Sequence, residues 1–273
     1  MTDFQPPALF SSSEQRAPSG QSSSSAASKD FSSAKPLESI TTHDQYHNAG
    51  LSKSDLPRSP ISLFHAWFEE AKKANILAPE TMTLSTASLV QGSQGITHAR
   101  PSSRVVLLKT LDQRGFIFFT NYSSRKSREL QSNPWCSLTF YYDQPLHRSV
   151  RVCGKAEKLG TEESQAYFDT RPLGSRIGAH ASPQSQVISG RRELEERVQS
   201  VEHRYEVPGA AGLHGAPPPD EGKKIPVPEY WGGWRVIPDE IEFWLGRENR
   251  LHDRFRYTRS LELSKDAADD TVQ

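Results

Sequence analysis

Two arginines and a histidine near the C-terminus are spaced so that they could bind an anion. Arg250, His252 and Arg254 alternate with other residues in the run R-L-H-D-R, which follows E-F-W-L-G at 242–246. Because strand side chains alternate between two faces, a strand here would place all three on one face. A phosphate or another anionic ligand would compensate these charges, since the planar fork of Arg pairs with phosphate oxygens. A solvated basic strand edge is the alternative interpretation, and the spacing alone leaves it open.

A second candidate anion site lies where a predicted strand meets a predicted helix, at Thr120–Leu130. Ser123 or Ser124 is a suitable N-cap for this helix. The first turn of a helix favours acidic residues because its free N–H groups carry partial positive charge. Here that turn carries Arg125 and Lys126 instead. Free N–H groups, the helix dipole and two cations together favour an anion, and a solvent-facing basic turn is the alternative.

The composition gives no electrostatic reason to expect a nucleic-acid or membrane partner. The chain has 273 residues with 33 Lys and Arg against 33 Asp and Glu, so its formal net charge is zero. Residues 1–40 are rich in Ser and Pro and are predicted to be disordered. Residues 41–262 are long enough for one packed domain, with a mobile Pro- and Gly-rich loop at 207–228. Residues 263–273 are predicted to form a frayed acidic tail.

Localisation and metal binding are constrained by what the sequence lacks. No apolar run reaches the length of a membrane span, and the N-terminus lacks the pattern of a secretory signal. We therefore expect a cytoplasmic protein. Cys136 and Cys153 lie in strand-like runs and are predicted to be reduced core thiols. His43 and His47 have helical ligand spacing but no obvious third ligand, so they are interpreted as solvated and no metal is predicted.

Hydrophobic periodicity predicts an antiparallel barrel with a few helices. Ser59-Pro60 opens a helix with regular apolar spacing, and further helices are predicted at Thr161–Thr170 and Arg191–Tyr205. The predicted strands are Thr81–Leu89, Arg104–Thr110, Phe116–Asn121, Cys136–Tyr142, Val150–Leu159, Gly233–Ile237, Ile241–Leu245 and Arg250–Arg259. The fold class is therefore mainly β with α decoration (α+β). The sequence has no glycine-rich phosphate-binding motif, so the anion sites must be built from Arg and Lys.

In their order and spacing, the motifs resemble those of the pyridoxamine 5'-phosphate oxidase family, from about Tyr46 to Arg259. The matching segments are R-V-V-L-L-K at 104–109, F-F-T-N at 118–121, S-R-K at 124–126, Y-F-x-x-R-P-x-x-S-x-I-G-A at 167–179, Q-S at 184–185, W-G-G at 231–233, E-F-W-x-G at 242–246 and R-L-H-D-R at 250–254. The resemblance implies an FMN-binding split β-barrel homodimer with two FMN sites at the subunit interface. It also implies oxidation of pyridoxamine 5'-phosphate or pyridoxine 5'-phosphate to pyridoxal 5'-phosphate, with O2 as acceptor and H2O2 as by-product.

By position, the resemblance also implies the site residues. The expected FMN contacts are Arg104, Val105, Val106, Leu107, Phe119, Thr120, Arg125, Lys126, Ser149, Gln184, Ser185, Trp244 and Arg254. The expected substrate contacts are Tyr46, Lys109, Tyr167, Arg171, Ser175, Arg250 and His252. Arg250 and His252 are the expected catalytic pair and would hold the pyridine ring against the flavin. Tyr167 and Arg171 would share a helix face if their helix extends that far.

The chain departs from the family pattern at three positions. Ser149 stands where the family usually has a Gln that helps bind FMN, and the shorter Ser is expected to reach the flavin only through water. Leu245 replaces the Gln of E-F-W-Q-G, and His43 stands where an Arg is often found. A further tension is that strict alternation places Arg104 and Lys109 on opposite faces of their strand. If both Arg104 and Lys109 bind ligands, the strand must contain a bulge, bind through its backbone or lie at a subunit interface.

Two other functions are compatible with a flavin-binding barrel. One is a carrier or sensor that binds flavin or pyridoxal phosphate without turnover. The other is a related flavin reductase that acts on a different substrate. A carrier has no need of the substrate-orienting pair Arg250 and His252, and a reductase has no need of the phosphate set around Tyr167 and Arg171. These residues therefore favour the oxidase.

Overall fold

The computed structural model of the protein describes residues 45–92, 95–212, 222–259 and 271–272. These residues belong to one compact unit, Asp44–Gln273. The predicted tail at 1–40, the centre of the predicted loop at 213–221 and residues 260–270 lie outside the described residues. His43 also lies outside them.

The described part of the chain forms five α-helices and nine β-strands. The helices are α1 (Pro60–Lys73), α2 (Arg125–Ser132), α3 (Thr161–Asp169), α4 (Leu173–Ala181) and α5 (Arg191–Arg204). The strands are β1 (Thr81–Gln91), β2 (Thr97–Leu107), β3 (Thr110–Leu111), β4 (Phe116–Asn121), β5 (Trp135–Tyr142), β6 (Arg148–Lys158), β7 (Trp231–Leu245), β8 (Asp253–Thr258) and β9 (Thr271–Val272). Among these helices, none combines the length and apolar character needed to cross a membrane.

The strands form one antiparallel sheet in which β7 is the branch point. On one side of β7, the whole of β6 pairs with it. On the other side, β4 pairs with the first half of β7 and β8 pairs with the second half. The hydrogen-bonded path runs β2-β1-β5-β6-β7-β4-β3, and β8 and β9 branch from it. Among the described residues β2 and β3 are not paired with each other, so hydrogen bonding leaves the sheet open.

The sequence predicted two separate strands here, one on each side of Pro238. The structure corrects this prediction, because β7 is one continuous strand. Pro lacks an N–H donor and usually interrupts a sheet. Here β6 accommodates it through a register shift between Cys153 and Gly154, opposite Pro238. Gly154 is required at this position, because a Cβ there would lie 2.1 Å from the Ile237 carbonyl oxygen. One 15-residue strand therefore carries residues of both candidate sites.

The local sequence pattern predicted the bounds of some strands and helices correctly and those of others incorrectly. Strand β4 lies where predicted, whereas β2 runs Thr97–Leu107 instead of Arg104–Thr110 because it pairs with the whole of β1. Helix α4 was not predicted, since Gly174 and Gly178 lower its helix propensity. Its stability comes from packing rather than propensity.

Helix α1 is amphipathic and covers the main core of the sheet. Its start at Pro60 after Ser59 is as predicted. The Phe64 ring lies 5.0 Å from the rings of both Phe116 and Phe140, in edge-on contacts. A second apolar cluster joins α3, α4 and α5 to the start of β7 and includes Phe168, Leu173, Ile177, Val198, Val201, Val207, Ile225 and Trp231. The described ends of the predicted mobile loop therefore pack against these helices.

The two cysteines are free thiols on neighbouring strands. Cys136 is buried on β5 and Cys153 is half-buried on β6. Burial raises the pKa of the Cys136 thiol to about 12, with the nearby Cys153 as a second cause. Cys136 is therefore a core thiol, as predicted, and its raised pKa makes it unreactive. Cys153 is only half-buried, so the same prediction is wrong for it.

Arg235 ties α3 to the sheet as the buried centre of an ion-pair network whose carboxylates are partly exposed. Its side chain is 7% exposed and contacts Asp112, Glu157 and Glu163 at 2.7, 3.0 and 2.9 Å. Removing this cation would leave the three carboxylates without their shared partner.

We predict that Arg235→Met lowers the free energy of unfolding by about 2 kcal/mol, because it removes the buried cation that three partly exposed carboxylates share. Urea unfolding measures the change. The matched control is Arg114→Met, since Arg114 also pairs with Glu157, at 2.7 Å, but from an exposed position. The control should cost less than about 1 kcal/mol, and equal losses would contradict this account of the network.

Candidate functional site

The centre of the first group of predicted site residues is the buried carboxylate of Glu129, on α2. Thr86 and Ser102 donate to its Oε2 at 2.5 and 2.7 Å. Arg104 donates to the same oxygen at 2.9 Å, and Arg125 donates to Oε1 at 2.8 Å. Burial acts to raise the pKa of Glu129, but these hydrogen bonds outweigh it and lower the pKa to about 2. Glu129 is therefore a permanent anion that holds two arginines together.

The two arginines differ in what they can still bind. Arg104 Nη1 donates to Leu84 O and Thr86 Oγ1, at 3.3 and 2.5 Å. Its Nη2 donates to Ser102 Oγ and Glu129 Oε2, at 2.5 and 2.9 Å. All four Nη hydrogens of Arg104 are thus used within the described protein. Arg125 uses Nε for Glu129, and its half-exposed side chain leaves the Nη fork available.

Lys126 joins the same group from the first turn of α2. Its Nζ donates to Gln184 Oε1 at 2.6 Å and to Thr120 Oγ1 at 3.2 Å. Burial lowers the pKa of Lys126 to about 8, and repulsion from Arg104 acts in the same direction. Three residues predicted to contact one cofactor, Thr120, Lys126 and Gln184, are therefore in direct contact.

The N-terminus of α2 has the polarity expected of an anion site. Ser124 is the N-cap residue, yet its side chain makes no capping hydrogen bond. Its buried Oγ has no hydrogen-bond partner among the described residues. The helix has no acidic residue in its first turn, which carries Arg125 and Lys126 as the sequence predicted.

An aromatic cleft lies next to this group. The Tyr167 and Phe119 rings stack with centroids 3.8 Å apart, and the Trp231 ring stacks 5.5 Å from Phe119. The Arg171 guanidinium lies 4.7 Å from the centroid of the Trp231 ring. The shared helix face of Tyr167 and Arg171 required a helix that reaches Arg171, but α3 ends at Asp169, so that condition is not met. The Trp231 ring brings them together instead.

Arg171 is a half-buried cation without a counterion in the described part of the chain. Its Nη1 is buried and has no hydrogen-bond partner there. Burial lowers the pKa of Arg171, while the nearby Tyr167 acts to raise it. Arg171, Ser175, Gln184 and Trp231 line a cavity of about 250 Å³. An unpaired guanidinium group facing such a cavity is suited to an anionic ligand.

A second group of predicted residues surrounds Tyr46. The His252 ring lies 4.7 Å from the Trp244 ring and 5.8 Å from the Tyr46 ring. The Arg250 guanidinium lies 5.7 Å from the Tyr46 ring. His252 Nδ1 accepts a hydrogen bond from the Arg247 N–H at 3.0 Å, so a neutral His252 carries its proton on Nε2. Nε2 is then a hydrogen-bond donor.

The predicted alternation of Arg250, His252 and Arg254 on one strand face is wrong. Strand β8 begins at Asp253, and Arg250 ends a short 3-10 turn with a left-handed φ of 63°. Alternation requires extended backbone, which this turn interrupts. Arg254 lies on β8 opposite Trp244 and donates to Glu242 at 2.7 Å.

The remaining predicted residues lie around the first group, near Glu129 and Arg171, or around the second group, near Tyr46. No described contact joins the two groups. Val105, Val106 and Leu107 follow Arg104 along β2, and Ser149 pairs with Trp244 across β6 and β7. Lys109 lies beyond the end of β2 with an exposed side chain, so strand alternation does not relate it to Arg104. Ser185 follows Gln184 in a left-handed conformation with φ 65°.

Sequence reasoning missed Glu129 and the role of Trp231. The four-residue spacing of Arg125 and Glu129 on one helix is a signal that could have found the first. His47 was interpreted as solvated; its side chain is exposed, and its Nδ1 lies 2.6 Å from Glu248 Oε1. Among the described residues, no group of His, Cys, Asp and Glu is placed to hold a metal ion.

Comparison with known proteins decides the family. The family model "Pyridoxamine 5'-phosphate oxidase" matches residues 68–205, and "Pyridoxine 5'-phosphate oxidase C-terminal dimerisation region" matches residues 231–268. The chain belongs to the pyridoxamine 5'-phosphate oxidase family. Both groups of site residues lie largely within the matched regions.

Named relatives of this family cover most of the chain. It is 47% identical over 219 residues to a pyridoxine/pyridoxamine 5'-phosphate oxidase of Paraburkholderia phytofirmans, covering 80% of this chain and 91% of the relative. A relative of the same name from Rubrobacter xylanophilus is 46% identical over 215 residues, covering 79% and 88%.

Solved structures have the same fold. PhzG from Burkholderia lata, solved with tetrahydrophenazine-1-carboxylic acid, has a TM-score of 0.64 and 29% identity over 81% of this chain and 93% of its own. An FMN-binding protein related to pyridoxamine 5'-phosphate oxidase, from Nostoc punctiforme, has a TM-score of 0.54 at 15% identity, covering 79% and 96%. The second match shows the fold alone.

We predict that Glu129→Gln lowers the free energy of unfolding by about 2–3 kcal/mol at pH 7. The folded pKa of Glu129 lies below its ordinary value of 4.5. Its stabilising effect is therefore present above about pH 5 and is lost as the pH falls towards about 2. Urea unfolding of both proteins at several pH values should show the difference shrink with acidification. A difference independent of pH would contradict the role of the charged carboxylate.

Proposed function

We propose that this protein is an FMN-dependent oxidase that converts pyridoxamine 5'-phosphate or pyridoxine 5'-phosphate to pyridoxal 5'-phosphate. O2 would be the electron acceptor and H2O2 the by-product. The observation that carries the proposal is the unpaired guanidinium group of the half-buried Arg171, whose buried Nη1 lies at a cavity beside Trp231. A phosphorylated substrate supplies the missing anion.

The cavity at Arg171 suits a substrate phosphate. A phosphate dianion can accept from the free Nη1 of Arg171 and from the hydroxyl of Ser175, which lines the same cavity. Tyr167 stands next to Arg171 and adds a phenol donor at the aromatic wall. The exposed Lys109 is proposed as a fourth, more mobile contact.

The cluster around α2 suits the phosphate of FMN. The free fork of Arg125, the buried amine of Lys126 and the unpartnered Ser124 hydroxyl lie at one helix N-terminus. When bound, FMN supplies the redox chemistry, accepting a hydride equivalent from the substrate and delivering the electrons to O2. The other proposed FMN contacts are Val105, Val106, Leu107, Phe119, Thr120, Ser149, Gln184, Ser185, Trp244 and Arg254. Since the Nη groups of Arg104 are occupied, its proposed part is to organise the cluster through Glu129.

Arg250 and His252 are proposed to orient the substrate ring. The Nε2–H of a neutral His252 can donate to a ring substituent, and the Arg250 guanidinium group adds positive charge nearby. Tyr46 contacts both residues and is proposed to close this side of the site. Correct orientation of the reacting carbon is the contribution expected of the protein in a cofactor enzyme.

We further propose that the site is completed in a split-barrel homodimer. Trp231 and Trp244 stand near the two ends of β7, up to about 40 Å apart along an extended strand. One substrate cannot bridge groups so far apart, whereas a second copy can bring its Tyr46 group to the Arg171 group. The region matched as a dimerisation region supports this arrangement. The exposed Val105 and Leu107 of the edge strand β2 provide an apolar surface for it.

The first test measures peroxide release by the FMN-loaded protein with phosphorylated and unphosphorylated pyridoxamine. We expect turnover of the phosphorylated compound. Arg171→Met should lower its kcat/KM by about tenfold to a hundredfold, because a charged hydrogen bond to phosphate is lost. The slow reaction of pyridoxamine should change little, and the FMN content should stay the same.

The outcomes separate the candidate functions. A yellow protein that binds pyridoxal phosphate but releases no peroxide is a carrier or sensor. A yellow protein that ignores both phosphorylated substrates but consumes another is a different flavin enzyme, such as a reductase. Either result would overturn the proposed oxidase.

A second test addresses the FMN phosphate. Arg125→Ala should weaken FMN binding by about 1.5–3 kcal/mol, the contribution of a hydrogen bond to a charged group. Fluorescence titration of the apoprotein gives the dissociation constant. Arg128→Ala is the matched control, because Arg128 is an exposed arginine of the same helix whose Nη1 donates to Ser123 O. Equal effects of the two changes would argue against a specific contact at Arg125.

A further inference from the structure

His147 occupies the turn between β5 and β6 and is held there by backbone hydrogen bonds. Its N–H donates to Asp143 O at 3.1 Å, and its carbonyl oxygen accepts from the Gly246 N–H at 2.8 Å. The second bond joins this turn to the end of β7. His147 has a left-handed φ of 45°, which is uncommon for residues other than glycine and occurs frequently at functional sites.

The imidazole ring of His147 stacks on Tyr46. The two ring centroids lie 4.5 Å apart and the planes are inclined by 29°. The buried Nδ1 of His147 has no hydrogen-bond partner among the described residues, and the closest carboxylate oxygen, of Asp143, lies 3.8 Å away. The stack on Tyr46 is therefore the clearest interaction of this ring.

Tyr46 in turn contacts the residues proposed to orient the substrate. His252 and Arg250 lie 5.8 and 5.7 Å from its ring, and the Trp244 ring meets it edge-on at 6.1 Å. Gly246 allows the ring to approach, because a Cβ on that residue would lie 2.6 Å from Tyr46 Cδ2. His147 thus supports the Tyr46 ring, which lies against His252, Arg250 and Trp244.

The backbone beside Tyr46 is anchored independently of His147. The Asn249 N–H donates to Gln45 Oε1 at 2.8 Å, and Asn48 Nδ2 donates to Gly246 O at 2.8 Å. These bonds fix where the segment lies, but they do not fix the orientation of the Tyr46 ring. Loss of the His147 ring should therefore release the Tyr46 ring without detaching the segment.

We propose that His147 is a positioning residue, whose ring holds Tyr46 in place and thereby keeps Arg250 and His252 in their substrate-orienting arrangement. The part concerning substrate rests on the proposed function. The part concerning Tyr46 rests on the stacking geometry alone, so the two can be tested separately.

The variants His147→Ala and His147→Phe form a matched pair. Both place a Cβ at the same left-handed φ, so they share its backbone cost, but only Phe keeps a ring that can stack. If the Ala variant does not fold, His147→Asn removes the ring with a residue that tolerates this conformation. Urea unfolding and FMN content verify that each variant retains its fold.

The first measurement is independent of enzyme activity. Chymotrypsin must take the aromatic ring into its own pocket before it cleaves, so cleavage after Tyr46 reports release of that ring. Mass spectrometry should show this cleavage about threefold to tenfold faster in His147→Ala, the range expected for a lost aromatic stack, and near the wild-type rate in His147→Phe. Cleavage after Leu77, which is 95% exposed, is the internal reference. Equal cleavage after Tyr46 in wild type and His147→Ala would overturn the proposal.

The second measurement is steady-state kinetics with pyridoxamine 5'-phosphate. His147→Ala should raise KM about threefold to tenfold with a smaller change in kcat and an unchanged dissociation constant for FMN. His147→Phe should restore KM. An unchanged KM in His147→Ala overturns the link to substrate, and so does a KM that His147→Phe fails to restore. If wild type itself does not turn over, the proposed function fails, and the cleavage rates still decide whether His147 holds Tyr46.

Discussion

The continuous pairing of β7 is the constraint on which the rest of the structure depends. β6 pairs with one side of this strand, while β4 and β8 pair with successive halves of the other side. The first half places Trp231 opposite Asn121 at the end of β4, which also carries Thr120 and leads to the start of α2. The second half carries Trp244 and leads directly into Gly246, and both lie against Tyr46. One strand therefore positions both groups of predicted site residues and also keeps them apart within one chain.

Compensation of charge explains how the group around α2 can exist before any ligand binds. Arg104, Arg125 and Lys126 are cations in close proximity, and burying like charges without a partner is costly. Glu129 offsets part of this cost by accepting hydrogen bonds from both arginines. Lys126 has no carboxylate partner among its described hydrogen bonds, and burial together with repulsion from Arg104 lowers its pKa. The cluster thus retains net positive charge where an anion can bind.

The cleft at Arg171 uses a different physical device. A guanidinium group can lie flat on an aromatic ring, and Trp231 provides that surface. Stacking supports the cation from one side without consuming its hydrogen-bond donors, so Nη1 stays available to the cavity. Arg104 and Arg171 therefore illustrate opposite uses of the same side chain. The first is saturated by protein acceptors, and the second keeps Nη1 free of them.

The sequence by itself determined the family and the elements with strong local signals, and it predicted a set of site residues. Helix α1 follows from its cap and apolar spacing, and β4 from its apolar run between turns. The cations at the start of α2 could be recognised because they contradict the usual charge preference of a helix start. Tertiary structure alone decided how the side chains are used. Asn249 and Arg250 have left-handed backbone conformations, so Arg250 lies outside β8. Arg104 donates to Glu129, a residue of a different element, and therefore has fewer donors left for a ligand. His147 supports Tyr46 from about a hundred residues away in the sequence. These arrangements depend on long-range pairing and on single backbone angles, and a periodic pattern in the sequence contains neither.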